Sequence, residues 1–324
     1  MFMNSKKALL TLTIMFVLIL TTRMSSGTGR LSSETVLIGC TPGDPLMKSI
    51  LNILPVTNVD FIRWNLTLKI LQDGSNTFIL NLAFGEVKQN TLDFEGGGEK
   101  LAFEGYYTVA HVIEGKINKT IYILHSNKVN PITLLKINDN LFHFLSPGDQ
   151  LMVGNQRWSY TLSRKVPVES KVLPVFAMPS ELLKDTDRQI TFEGRTPSTK
   201  FATGNSFDLS PGCFKIKWLL TLNRDPVSLQ PTTYRLLQTS DKNTELKGTW
   251  TIIKGSPSNS DAVIYILDPD KPEKSLSLFV ADENVIFFLD KSSQLITGNA
   301  DFSYTLNKRK KEDIVAEYRF SKSR

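Results

Sequence analysis

The feature that most constrains this chain is a strand that occurs twice. Between Ile62 and Ile70 the residues Ile62, Trp64, Leu66, Leu68 and Ile70 alternate with Arg63, Asn65, Thr67 and Lys69. A period of two places the apolar side chains on one face of a β-strand and the polar ones on the other. The pattern returns from Phe214 to Leu222. There Phe214, Ile216, Trp218, Leu220 and Leu222 alternate with Lys215, Lys217 and Thr221, and only Leu219 departs from it. The same tryptophan at the same register predicts two copies of one β domain.

The copies can be followed through most of the chain. Gly39-Cys40-Thr41-Pro42 faces Gly194-Arg195-Thr196-Pro197, and Gly105-Tyr106-Tyr107-Thr108 faces Gly248-Thr249-Trp250-Thr251. Asn140 to Leu145 faces Asn284 to Leu289, and Gly154 to Leu162 faces Gly298 to Leu306. The first copy holds about ten extra residues, which the Gly-rich stretch Asp93 to Lys100 explains as a loop insertion. Each copy offers about eight short strands separated by turn signals, the pattern of an all-β barrel or sandwich. Eight strands can close on themselves, removing the sheet edges and leaving room for one small ligand.

The expected boundaries are a signal segment over residues 1–27, a first barrel over 33–165, a Pro-containing linker over 166–190, a second barrel over 191–307 and a basic tail over 308–324. Lys6 and Lys7 precede an apolar run from Ala8 to Leu20, the length of a signal-peptide core, and Ser25 and Gly27 fit a cut after Gly27. Leu37-Ile38-Gly39-Cys40 also matches a lipidation box. Nineteen residues, including Arg30 and Glu34, separate Cys40 from the apolar core, where a lipobox follows the core directly. Ser180 is a helix-cap signal ahead of Glu181 to Asp185.

Charge argues against a nucleic-acid partner. The net charge is +6, of which residues 1–27 hold +3 and residues 308–324 hold +4, leaving −1 for the body of the chain. Chemistry is sparsely signalled. The three histidines, His111, His125 and His143, are not duplicated between the copies, and the two cysteines, Cys40 and Cys213, do not face each other. In an oxidising compartment they either bridge or remain separate thiols. No nucleophile elbow is present, Gly96-Gly97-Gly98 lacks the Lys-Ser or Lys-Thr of a phosphate loop, and Asp282-Glu283 reads as a turn. These observations assign no catalytic residue, no metal ligand and no cofactor.

Binding is signalled by aromatic residues: Trp64, Tyr106, Tyr122, Phe142 and Phe144 in the first copy, and Trp218, Tyr265 and Phe288 in the second. Trp64, Tyr122, Phe144, Trp218, Tyr265 and Phe288 are the candidate ligand-binding residues of the two lumens. The alternative is that they fill the barrels as core.

Phe192-Glu193-Gly194-Arg195-Thr196-Pro197, the Trp218 strand, Lys247-Gly248-Thr249-Trp250 and Phe287-Phe288-Leu289-Asp290-Lys291 together resemble the N-terminal domain family of the copper-homeostasis lipoprotein NlpE. The resemblance spans Thr191 to Leu306, with Leu37 to Leu162 as a more divergent copy. It implies an all-β fold of two tandem small antiparallel lipocalin-like β-barrels after an N-terminal signal helix. It also implies an exported bacterial envelope protein, periplasmic, outer-membrane-associated or secreted, that is not an enzyme and acts as a binding or sensing module. The family's CxxC after the opening proline is replaced by Gly43-Asp44-Pro45 and Ser198-Thr199-Lys200, so copper binding does not carry over to any residue. The expected partner is a small molecule or an envelope protein. The membrane is met only through the signal segment or a lipid at Cys40. The second expectation is a lipocalin-like carrier of a small apolar ligand.

Overall fold

The computed structural model describes residues 30–114, 117–170, 173, 187–199, 213–240, 243–256 and 259–309. The signal segment, the Ser180 cap and most of the basic tail lie outside them. The first eight strands are β1 (Leu31–Pro42), β2 (Phe61–Leu71), β3 (Asn76–Gly85), β4 (Glu99–Glu114), β5 (Ile117–His125), β6 (Ile132–Lys136), β7 (Leu141–Phe144) and β8 (Thr161–Arg164). They form an antiparallel meander closed by β1 against β8 through Leu37↔Arg164 and Ile38↔Ser163. A second closed barrel follows: β9 (Gln189–Pro197), β10 (Lys215–Arg224), β11 (Pro231–Thr239), β12 (Asn243–Ser256), β13 (Asn259–Leu267), β14 (Leu276–Val280), β15 (Val285–Leu289) and β16 (Thr305–Lys308). Its closure is β16 against β9. The fold is two tandem all-β barrels, and their strands occupy 31–164 and 189–308, each starting two residues earlier than the sequence pattern sets it and ending within one residue of it.

The duplicated strand does in both barrels what its alternation requires. Ile62, Trp64, Leu66 and Leu68 point into the first core, and Ile216, Trp218, Leu220 and Leu222 into the second. Each buried indole needs an acceptor. Trp64 Nε1 donates to Thr41 Oγ1 and Trp218 Nε1 to Thr196 Oγ1, both at 2.8 Å. The threonine before each opening proline is thereby explained.

Two features of the first barrel depart from the sequence reading. Asp44-Pro45 starts a short helix, α1 (Pro45–Ile50), where the strand pattern gave no sign of one. Asp44 accepts from Met47 N at 2.8 Å as its cap, and Pro45 occupies the first turn, where a missing N–H costs nothing. Met47 and the following Leu51 join the core of the barrel. The insertion covers residues 86–98 rather than Asp93 to Lys100. Glu99 and Lys100 already belong to β4, and the excursion is pinned by a bridge between Val87 and Phe94.

The barrels pack together about a local two-fold relation. Ser159 Oγ lies 2.6 Å from its counterpart Ser303 Oγ, and Thr161 Oγ1 lies 3.0 Å from its counterpart Thr305 Oγ1. Gly154 N donates to Asn307 Oδ1 at 2.8 Å, and reciprocally Gly298 N donates to Ser163 Oγ at 3.0 Å. Around this polar centre an apolar cluster joins Ile121, Leu135 and Leu141 of one barrel to Ile264, Phe279 and Phe287 of the other. The interface is isologous, with like meeting like. It explains why β7 and β15 are buried on both faces. Among the described residues no helix is long and apolar enough to cross a membrane.

Candidate functional site

The six candidate lumen residues divide five to one. Trp64, Phe144, Trp218, Tyr265 and Phe288 are all buried at 3% exposure or less. Trp64 packs on Phe144 at 4.7 Å between ring centroids, Trp218 on Phe288 at 5.2 Å and Trp250 on Tyr265 at 5.1 Å. These rings fill space for one another, which is the core role. Tyr122 lines a recess at the end of the first barrel. It joins Tyr107, Phe142, Lys136, Asp139 and Arg164 around a hollow of about 90 Å³. Tyr106, the remaining member of the aromatic stripe, points outward at 39% exposure and stacks on His125. The inward residue is its neighbour Tyr107, matched by Trp250 in the second barrel.

The three histidines do not converge. His111 lies against Thr120, His125 against Thr108, and His143 in the inter-barrel core. Among the described residues no group of three His, Cys, Asp or Glu side chains could hold a metal ion. The two cysteines are separate thiols. Cys213 donates to Lys215 O at 3.1 Å, and Cys40 donates across the interface to Ala300 O at 3.3 Å. Burial pushes the Cys40 thiol up to about 12, with Arg63 pulling the other way, so it is an inert neutral group at ordinary pH. Its place in β1 also bears on lipidation. A mature chain starting at Cys40 would lack Leu31 to Gly39, including both pairs that close the barrel. Asp282 is a turn residue, accepting from Asn284 N and Val285 N at 2.8 Å, as Asn138 accepts from Asn140 N and Leu141 N. Burial raises its carboxyl to about 6.

Among the described residues two further concavities flank the inter-barrel contact, where the sequence reading placed no candidate. On each side the outer face of one barrel's first two strands meets the other barrel's Gly-Asn turn, Asn299 to Phe302 or Asn155 to Trp158. Both turns have the same build. Asn155 Oδ1 accepts from Arg157 N and Trp158 N, and Asn299 Oδ1 accepts from Asp301 N and Phe302 N. The outcomes differ. At the first barrel, Arg63 pairs with Asp301 at 3.3 Å and donates to Leu92 O of the insertion. Its guanidinium also lies 5.7 Å from the Phe61 ring and 5.4 Å from that of Phe94. Phe61 stacks between Phe94 and Trp158, and the space left is about 20 Å³. At the second barrel only residues 240–242 separate β11 from β12, so the counterpart of the first barrel's 86–98 excursion is missing. A cleft of about 210 Å³ remains, lined among others by Glu193, Arg195, Lys217, Gln156 and Arg309.

The signal for this asymmetry was present in the repeat. Arg195 stands where the first copy has Cys40, Lys215 where it has Phe61, and Arg157 where the second copy has Asp301. Single strands read for alternation show only wet residues there.

No protein-family model, no curated protein and no solved structure matches the chain.

Proposed function

We propose that this chain is a non-enzymatic binding module of the cell envelope, exported by its N-terminal segment and built from two barrels of the NlpE N-terminal type. Recognition takes place on the outer faces where the barrels meet, and the partner is a small molecule or an envelope protein. The observation that carries this is the distribution of space. The aromatic residues that would line a lumen pack on one another, while the larger opening lies beside the inter-barrel turns. Copper handling belongs to the family's CxxC, which neither opening segment has, and it is not part of the proposal.

A second reading, a carrier of a small apolar ligand, is favoured by the recess at Tyr107, Tyr122 and Phe142. It predicts that an apolar probe such as a fatty acid changes the intrinsic fluorescence and that Tyr122→Ala abolishes the change. The leading reading predicts no such change.

Native and denatured masses of the full-length protein, taken from the envelope of its own host, test the proposal. Expected are a chain starting at Thr28 and a native species carrying a discrete adduct or partner. A chain still starting at Met1 overturns export. A diacylated chain starting at Cys40 overturns the placement of that residue in a strand.

A further inference from the structure

The two inter-barrel clefts are related by the repeat, yet among the described residues one is nearly filled and holds an Arg–Asp pair, while the other is wider and is lined by cations without such a pair. In the closed cleft Arg63 has its carboxylate, Asp301, and a roof of two aromatic rings, and Arg195 reaches the edge of this cleft as well as lining the other. In the open cleft the position of that carboxylate holds Arg157. Arg195 and Lys217 line the opening, and Lys215 stands two residues before Lys217 on the same strand face. Glu193 is the acidic residue of the lining, and it is paired with Arg309 at 3.6 Å.

Among the described residues no carboxylate pairs with Arg157, Arg195, Lys215 or Lys217. Arg157 and Lys215 lean on the neighbouring rings of Trp158 and Phe214. The buried Nε of Arg195 has no hydrogen-bond acceptor. An unsatisfied buried donor on a charged group is costly unless an acceptor arrives. Burial first, and Arg157 second, lower the Arg195 guanidinium to about 10, still protonated at neutral pH. Arg195 and Lys217 in the lining, with Arg157 and Lys215 near enough to repel them, favour a bound anion. A guanidinium fork with adjacent ammonium groups matches a tetrahedral oxyanion.

We propose that this cleft binds a phosphate-type oxyanion, free or carried as a phosphate monoester, with Arg195 as the fork and Lys217 and Arg157 as flanking charges. The inference rests on the reading of the inter-barrel faces as the recognition surface and gives that surface a ligand class.

The test uses the full-length chain and inorganic phosphate, with sodium chloride at matched ionic strength as the control. Phosphate is expected to raise the melting temperature saturably by a few degrees, while chloride does not. Two variants make the result specific. Arg195→Met removes the fork. Arg157→Asp places a carboxylate where Asp301 stands in the other cleft, so it should neutralise Lys217 internally, leave the fold at least as stable and abolish the phosphate effect. Cosedimentation with phosphatidic acid vesicles against phosphatidylcholine vesicles separates the sources. Phosphatidic acid binding that is lost in Arg195→Met, without an effect of free phosphate, assigns the site to a lipid headgroup. An effect of free phosphate without vesicle binding assigns it to a soluble ligand. The proposal is overturned if chloride reproduces the phosphate effect, if both variants retain it, or if neither phosphate nor vesicles bind. In those cases an adduct or partner seen in the native mass would still uphold the binding-module reading, since that mass does not depend on phosphate.

Discussion

His143 shows how much of this molecule is decided by single side chains. It is fully buried, and its two ring nitrogens have different partners: Met152 O at 2.8 Å from Nε2 and Thr161 Oγ1 at 2.9 Å from Nδ1. The carbonyl can only accept, so Nε2 carries the proton and Nδ1 accepts from Thr161. Thr161 then accepts from Thr305, Thr305 from Ser303 at 3.0 Å, and Ser303 from Ser159, so one proton arrangement satisfies the buried chain across both barrels. A second proton on the ring would reverse it. Burial lowers the imidazole to about 4 against an ordinary 6.5. Between these values the unfolded chain binds a proton that the folded one does not. Stability is therefore full above pH 6.5 and falls as the pH drops towards 4. The loss from this group is roughly 3 kcal/mol, at about 1.36 kcal/mol per pH unit between the two values. His143→Phe copies Phe287 of the other barrel. It is expected to be less stable at pH 7, where Thr161 loses its acceptor, but to have a flatter profile. Urea midpoints at pH 7 and pH 4.5 measure this, and equal losses in the two proteins would refute the assignment.

At the scale of the element, Gly105 and Gly248 explain how long strands serve two neighbours. β4 pairs with β3 up to Tyr106 and with β5 from Tyr106 onward, and β12 changes partner between Thr249 and Trp250. A glycine sits at each corner because the next strand comes too close for a side chain. A Cβ at Gly105 would stand 2.0 Å from His125 O. At Gly248 it would meet the Asp268 carboxylate, which accepts from Tyr234 OH at 2.7 Å. Gly105→Ala is expected to cost about 1–3 kcal/mol, the usual range for forcing atoms into a packed site. Gly248→Ala should cost less, since a side chain yields where a backbone carbonyl does not. Denaturation midpoints of the two variants settle the order, and the reverse order would refute it. The strands themselves were legible because alternation records which face is buried. The same rule concealed the inter-barrel face. Ser159, Thr161 and Ser163 alternate with Tyr160 and Leu162 as a solvent-facing strand would, yet they are buried against the second barrel. Small hydroxyl side chains satisfy one another across a tight contact as well as they satisfy water, so their sequence does not distinguish the two. Helix α1 was hidden for a different reason: six residues carry no periodicity, and only its Asp-Pro cap announces it.

At the scale of the whole molecule the barrels are expected to unfold as one unit, because each completes the burial of the other. Phe279 and Phe287 project from the second barrel, Leu135 and Leu141 from the first, and all are at most 2% exposed. Separation would uncover an apolar face that neither barrel can hide alone. Phe287→Asp places an unpaired carboxylate in that cluster beside His143. It is expected to cost several kcal/mol of stability, to lower the first denaturation midpoint and to split one transition into two as the barrels come apart. Calorimetry of the full chain tests this, and a single transition with the wild-type midpoint would refute the coupling.

A contact in which Ser159 meets Ser303 and Thr161 meets Thr305 has the geometry of a homodimer contact inside one polypeptide. In a homodimer every change in the gene appears twice, on both sides of the axis. A carboxylate that closed one cleft would close the other, and a cluster of cations would be duplicated with its full repulsion. Joining the two copies in one gene removes that constraint. Asp301 could seal one side while Arg157 left the other open, because the two positions are now inherited separately.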